Sequence, residues 1–237
     1  MKTLLLICVL GMLTCVAFAQ EKNDLQVLLI TGGHDFDRTA FFQLLHKLQG
    51  MTFTEVKHPN ANDYFLGNKT DAFDVILFYD MVQDISLAQM EGFEKLVEKG
   101  IGLVFLHHSI VSYQGWDYYK NTVGGRYHER GPMASNYKHE VDFNAKLISP
   151  SHPVLQGLED FEVFDEIYGN VEIGENVNPL IKTDHPDSMP YLAWSQDLNP
   201  NSRSVYIQPG HGPEVFSLQP FQQLLKQALS WAAFRHR

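Results

Sequence analysis

Unbroken apolar runs that alternate with helical stripes constrain this chain more than any other feature. Residues 27–31, 74–79 and 101–106 are apolar on nearly every position, and residues 52–57 alternate with period two. A strand that is apolar on both sides must be covered on both sides, which is the condition of a parallel sheet rather than of an exposed hairpin. Phe41, Leu44, Leu45 and Leu48 give one helical stripe between the first two runs. Ser86 to Gln89 reads as a capping box opening a helix that stops at Lys99-Gly100. A last stripe, Phe221, Leu224, Leu225, Ala228, Leu229 and Ala232, follows Pro220. Repeated strand–helix–strand units predict an α/β three-layer sandwich with a mostly parallel central sheet. Residues 162–167, 191–194 and 203–208 read as further strands, some of them antiparallel at an edge, and residues 110–160 as an elaborated loop region.

The second feature is a set of five turns that carry histidine: Gly32-Gly33-His34, His107-His108-Ser109, Gly124-Gly125-Arg126-Tyr127-His128, Ser151-His152-Pro153 and Gly210-His211-Gly212. Loops leaving the carboxyl ends of parallel strands line one crevice, where such folds bind ligands. A lone histidine in a turn more often caps an element than does chemistry, but glycine permits positive φ or close approach to a ligand, and recurrence of the same side chain argues for a shared use. His46 and His236 sit in helical patterns, while His58 and His185 precede prolines. Those four read as structural or surface residues.

The amino terminus combines Lys2, an apolar run over residues 4–18 and Ala17-Phe18-Ala19, the three parts of a secretory signal peptide. The expected organisation is a signal peptide over residues 1–19 and a single domain over residues 20–237, exported to the periplasm or secreted. Cys8 and Cys15 both fall inside the leader, so the mature chain has no disulfide, zinc–thiolate site or cysteine nucleophile. The formal charge of −10, with basic residues dispersed, argues against nucleic acid and anionic membranes as partners. The leader is too short for a membrane span.

At its motifs the chain resembles the ThuA-like, or trehalose-utilisation, family of the class I glutamine amidotransferase-like, flavodoxin-related superfamily. The pieces that carry the resemblance are residues 30–35, 102–108, 124–128, His152-Pro153-Val154 with Gly157-Leu158, residues 164–168, and residues 203–206 running into Gly210-His211. The resemblance implies an amidotransferase-like fold without glutaminase chemistry, because His107-His108-Ser109 stands at the turn where those relatives carry a nucleophilic cysteine. Ser109 lacks the Gly-x-Ser-x-Gly elbow of a serine nucleophile. The family's link to disaccharide use implies a small carbohydrate as partner.

Within the residues themselves, Glu166 and Tyr168 should share one face of a strand, with Asp165 on the other. The chemistry expected is acid–base work on a sugar or keto-sugar, with Glu166, His108, His128 and Tyr168 as catalytic candidates and His34, Asp35, His107, Arg126, Tyr127 and His211 as substrate-binding candidates. Arg126 has the planar fork that steadies an oxyanion. Aromatic residues in the same region offer flat faces for a sugar ring. A divalent metal held by His34, His108, His128, His211 or Glu166 is a second enzymatic reading, and nitrogen and oxygen ligands would suit zinc, iron, nickel or manganese. A third is a non-catalytic carbohydrate-binding or scaffold protein, against which several titratable histidines in one cleft weigh. No nucleotide fingerprint is present.

Overall fold

The computed structural model describes residues 24–234. The predicted leader, both cysteines and His236 lie outside them.

Elements follow the order β1 (Leu25–Gly32), α1 (Arg38–Lys47), β2 (Met51–Lys57), β3 (Val75–Asp80), α2 (Leu87–Lys99), β4 (Gly102–Leu106), α3 (Asp117–Val123), β5 (Gly125–Arg126), β6 (Asn136–Leu147), β7 (Phe161–Gly169), β8 (Glu172–Ile173), β9 (Asn178–Lys182), β10 (Tyr191–Asn199), β11 (Ser202–Ile207), α4 (Pro213–Ser217) and α5 (Gln219–Ala232). Nine strands form one sheet in the order β2-β1-β3-β4-β11-β10-β9-β6-β7. The first five are parallel, and the remaining pairings are antiparallel. β5 and β8 make a separate antiparallel pair.

Strand alternation divides the core in two. Val27, Leu29, Leu77, Val104, Leu106, Val205 and Ile207 join α1, α4 and α5 on one face. Leu28, Ile30, Ile76, Phe78, Leu103, Phe105 and Tyr206 join α2 and α3 on the other. A side chain such as Phe41 or Phe105, removed wholly from water, contributes about 1.5–3 kcal/mol, and unbroken apolar strands are what two covered faces require. The helices begin and end where the sequence signals them. Asp37 caps α1 by accepting from the Ala40 amide, and Ser86 with Gln89 closes a capping box on α2, which stops at Gly100 with φ of 107°.

Residues 110–160 depart from the expectation of a loop region. They hold α3 and the twelve-residue strand β6. The signal was present as the alternation Val141, Phe143, Ala145, all buried, with Asp142 and Asn144 exposed between them. β9 was also unexpected.

The register aligns the carboxyl ends of the parallel strands. Thr31 lies opposite Lys57, Gly32 opposite Asp80, and Leu106 opposite Ile207. The turns after β1, β4 and β11 therefore open on the same edge. Among the described residues no helix is long and apolar enough to cross a membrane.

Candidate active site at the carboxyl edge of the sheet

Leu106 ends β4, and the chain then bends through His107 with φ of 53°. A left-handed conformation costs an ordinary residue about 1–2 kcal/mol, and here tertiary bonds fix it. The Tyr206 hydroxyl donates to the His107 carbonyl at 3.1 Å, and His107 Nδ1 meets the Gln208 carbonyl at 2.7 Å. A carbonyl oxygen only accepts, so Nδ1 carries the proton and Nε2 faces the cleft.

What Nε2 faces comes from two other segments. β7 brings Glu166, whose Oε2 lies 2.9 Å from His107 Nε2, and Tyr168, whose hydroxyl lies 3.0 Å from the same nitrogen. The turn after β11 brings His211, with Nδ1 3.1 Å from Glu166 Oε2 and 3.3 Å from His107 Nε2. Gly210, at φ of 150°, allows that approach, because a Cβ there would stand 3.3 Å from the His107 Cβ. Asp165 does not face water. Its carboxylate accepts from the Gly210 amide at 2.6 Å and the His211 amide at 3.2 Å, so alternation along β7 gives Glu166 to the cleft and Asp165 to the turn that carries His211.

Two further imidazoles complete the wall. His34 stacks on His108 with ring centroids 4.6 Å apart, and its ring stands 6.3 Å from that of His211. Gly33 admits this turn at φ of 80°, where a Cβ would fall 1.8 Å from the Met81 carbonyl oxygen. His108 is buried beside the Tyr79 backbone with both ring nitrogens shut off from solvent, and Nδ1 of His34 is shut off likewise. Asp35 is exposed and lines, with His34, Phe36 and Arg38, an adjacent cavity of about 430 Å³.

The protonation states follow from these contacts. Burial alone would raise the Glu166 carboxyl, but the bonds and charges of His107 and His211 outweigh it and hold Glu166 well below the usual carboxylate range. The hydrogen bond to Glu166 raises His211 above an ordinary imidazole. Burial lowers His34, and lowers His108 further, so both are neutral at pH 7. Burial raises Asp165 and lifts Tyr168 far above its ordinary value.

The structure thus brings together His34, His107, His108, Glu166, Tyr168 and His211. It adds His139, whose Nδ1 stands 3.4 Å from Glu166 Oε1 and whose ring is 4.9 Å from that of His211. His139 follows no strand-end turn. It reaches Glu166 through a break in the β6–β7 register between Lys138 and Val141, with Glu140 at φ of 55°. Bulges have no single-residue signature, so no sequence pattern marks it.

Two candidates go elsewhere. His128 Nε2 pairs with Glu172 at 2.8 Å, and Arg126 pairs with Asp117 at 3.1 Å. Both sit by the small β5–β8 pair, whose ladder sets Arg126 opposite Glu172, rather than among the ligating groups at the end of the parallel block. Tyr127 lies between the two regions, its ring 5.2 Å from that of Tyr168. His152 caps the turn after β6 by accepting from the Val154 amide, and packs on Trp231. Ser109 is fully buried. His58, read as structural, pairs at 3.0 Å with the buried Asp80.

A metal would find its donors in His107, Glu166 and His211, whose ligating atoms all lie within 4.8 Å of one another. This moves His107 from the substrate-binding to the ligating set, and leaves His128, held by Glu172, out of it.

The profile of the ThuA family, described as trehalose utilisation, matches residues 26–232. No curated protein matches the chain. Among solved structures it is similar to a ThuA-like protein from Parabacteroides merdae at 16% identity and a TM-score of 0.75, covering 89% of this chain and 90% of that one. A ThuA-like protein from Bacteroides uniformis is similar at 19% identity and a TM-score of 0.66, with 88% and 91% covered. PurLQS from Thermotoga maritima shares the fold at 11% identity and a TM-score of 0.55, with 88% and 99% covered. The architecture is an α/β sandwich of the class I glutamine amidotransferase-like type, its mixed sheet parallel over the first five strands and antiparallel beyond.

Proposed function

This chain belongs to the ThuA family, described as trehalose utilisation, and from that membership and the geometry of its histidine cluster we propose an exported protein that performs acid–base chemistry on a sugar or keto-sugar. The observation that supports the reading is the pairing of opposites in one cleft. An ionised Glu166 holds a His211 of raised basicity, while the neutral His34 stands beside them, its ring 6.3 Å from that of His211.

The division of labour follows from basicity. Glu166 is too acidic to take a proton efficiently at neutral pH, since a general base works best with a pKa near the operating pH. Its part is to hold His107 and His211. His34 supplies the lone pair that accepts a proton from carbon next to a carbonyl. The electron pair left behind moves onto the carbonyl oxygen as an enolate, and the imidazolium of His211, favoured by its bond to Glu166, steadies it. Arg126 and His128, held by Asp117 and Glu172, have no step in this scheme. Glutaminase activity is absent from it too, because His107 occupies the elbow after β4 and both cysteines of the chain precede residue 20.

The test is turnover of ordinary and keto-bearing glycosides by wild type and variants. Glu166→Gln and His34→Ala are expected to lower kcat/KM by roughly 10²–10⁴-fold, with Arg126→Ala and His128→Ala near wild type. Sugar binding without turnover in every case would instead identify a carbohydrate-binding protein.

A further inference from the structure

We propose that His107 Nε2, His211 Nδ1 and Glu166 Oε2 are the three protein ligands of a divalent first-row transition metal. The proposal deepens the reading above and rests on it for the site's use, though not for the ion's presence. The three atoms form a closed triangle with edges of 2.9, 3.1 and 3.3 Å. Ligands about 2.0–2.2 Å from zinc or a similar ion stand roughly 3.0–3.4 Å apart in octahedral or tetrahedral geometry. Nitrogen donors exclude calcium and magnesium as the preferred ions, which take oxygen. Two histidines and a glutamate match a three-ligand site with positions left open for water or substrate.

The surroundings are those of a ligand set. His107 gives its Nδ1 proton to the Gln208 carbonyl, which fixes the ring and leaves Nε2 as the lone-pair face. Gln208 also donates through Nε2 to the Glu166 carbonyl at 2.7 Å, tying the first ligand's support to the backbone of the third. Asp165 anchors the amide of the second, His211. Three electron-rich atoms within van der Waals reach repel unless a cation or shared protons lie between them. His211 is the ligand that reaches solvent and is flanked by His34 and His139, so the open coordination positions face the cleft that holds the proposed proton acceptor. When bound, such an ion acts as a Lewis acid toward a carbonyl or enediolate oxygen.

The experiment uses the full chain expressed without a histidine tag. Metal content is measured by elemental analysis as purified and after chelation, and Zn²⁺, Mn²⁺ and Co²⁺ are titrated calorimetrically, with the visible spectrum of the Co²⁺ form recorded. One equivalent per chain is expected, with ligand-field bands that vanish in His211→Ala and Glu166→Gln. Both variants should bind at least 100-fold more weakly, and His128→Ala should bind as wild type. Circular dichroism checks that each variant is folded, and His107→Ala serves only if it passes. Less than a tenth of an equivalent at saturation with each ion, or unchanged binding in folded His211→Ala, overturns the proposal. Turnover by the chelated protein overturns the metal's part in catalysis while leaving the acid–base reading. Tight stoichiometric binding without turnover of any glycoside does the reverse.

Discussion

Replacing Asp165 by alanine tests whether the site is assembled by its second layer. The carboxylate is buried and accepts from two consecutive amides, those of Gly210 and His211. Each charge-assisted bond of this kind contributes about 1.5–3 kcal/mol, and an amide left buried without a partner costs about 1–3 kcal/mol. Gly210 is buried, whereas His211 is half-exposed and its amide can recruit water. The unfavourable burial of the charge itself, visible in the raised Asp165 carboxyl, offsets part of the loss. The net expectation is therefore about 2–4 kcal/mol of destabilisation. Urea unfolding followed by circular dichroism measures it, provided the slope m is unchanged so that the midpoint shift reports stability alone. Asp165→Asn keeps one acceptor and should recover about half. Divalent-ion binding should weaken in both variants, because the turn that aims His211 is no longer pinned. A loss below about 0.5 kcal/mol in Asp165→Ala, the size of an ordinary surface substitution, would refute the reasoning.

Gly33→Ala should destabilise by about 2–4 kcal/mol, since its Cβ would overlap the Met81 carbonyl at 1.8 Å and the backbone sits at φ of 80°; a denaturation midpoint equal to wild type would contradict the close approach. Glu55 receives both Arg38 terminal nitrogens, at 2.9 and 2.7 Å, and the Thr31 hydroxyl. Burial works to raise its carboxyl, but these bonds together bring it below the ordinary value of 4.5. A depressed folded-state pKa means stability that is present above 4.5 and lost as pH falls through the folded value. Glu55→Gln should therefore be less stable by about 1 kcal/mol near pH 7, with the gap closing on acidification; a gap that widens toward acid would show the sign to be wrong.

The parallel block was legible because each of its strands is apolar on both faces, and Leu28 and Leu29, packed on opposite sides of the sheet, show why a single run predicts two cores. The turns after β1, β4 and β11 were legible for a related reason: glycine and histidine stand where a buried strand ends. The second half of the sheet was harder. β6 keeps alternation only over residues 141–145, after the exposed run of residues 136–140, and the bulge at Glu140 breaks the period that would have extended it. The same bulge hid His139. Arg126 and His128 misled because a Gly-Gly-Arg-x-His turn looks alike whether it leaves a central strand or a two-residue one, and only pairing with Glu172 and Asp117 distinguishes them. Gln208 and Asp165 act through backbone groups, and partners chosen by tertiary approach leave no mark in a linear pattern.

The hairpin of β6 and β7 joins the rest of the sheet through only two registered pairs, Lys146 with Lys182 and Leu147 with Ile181. Elsewhere it is held by one apolar face and by bonds from Gln208, Gly210, His211 and Met189 to the stretch around Glu166. Such a unit is expected to open at lower free energy than the buried central strands β1, β3 and β4. Glu166 leaves with it, so the open form keeps two histidines and loses the carboxylate between them. Anything that bridges β7 to the turns of β4 and β11 acts as a clasp on this hairpin. Amide exchange along β7 should therefore slow on occupancy of the centre while that of β1 and β3 stays the same, making a peripheral strand the gauge of what the cleft holds.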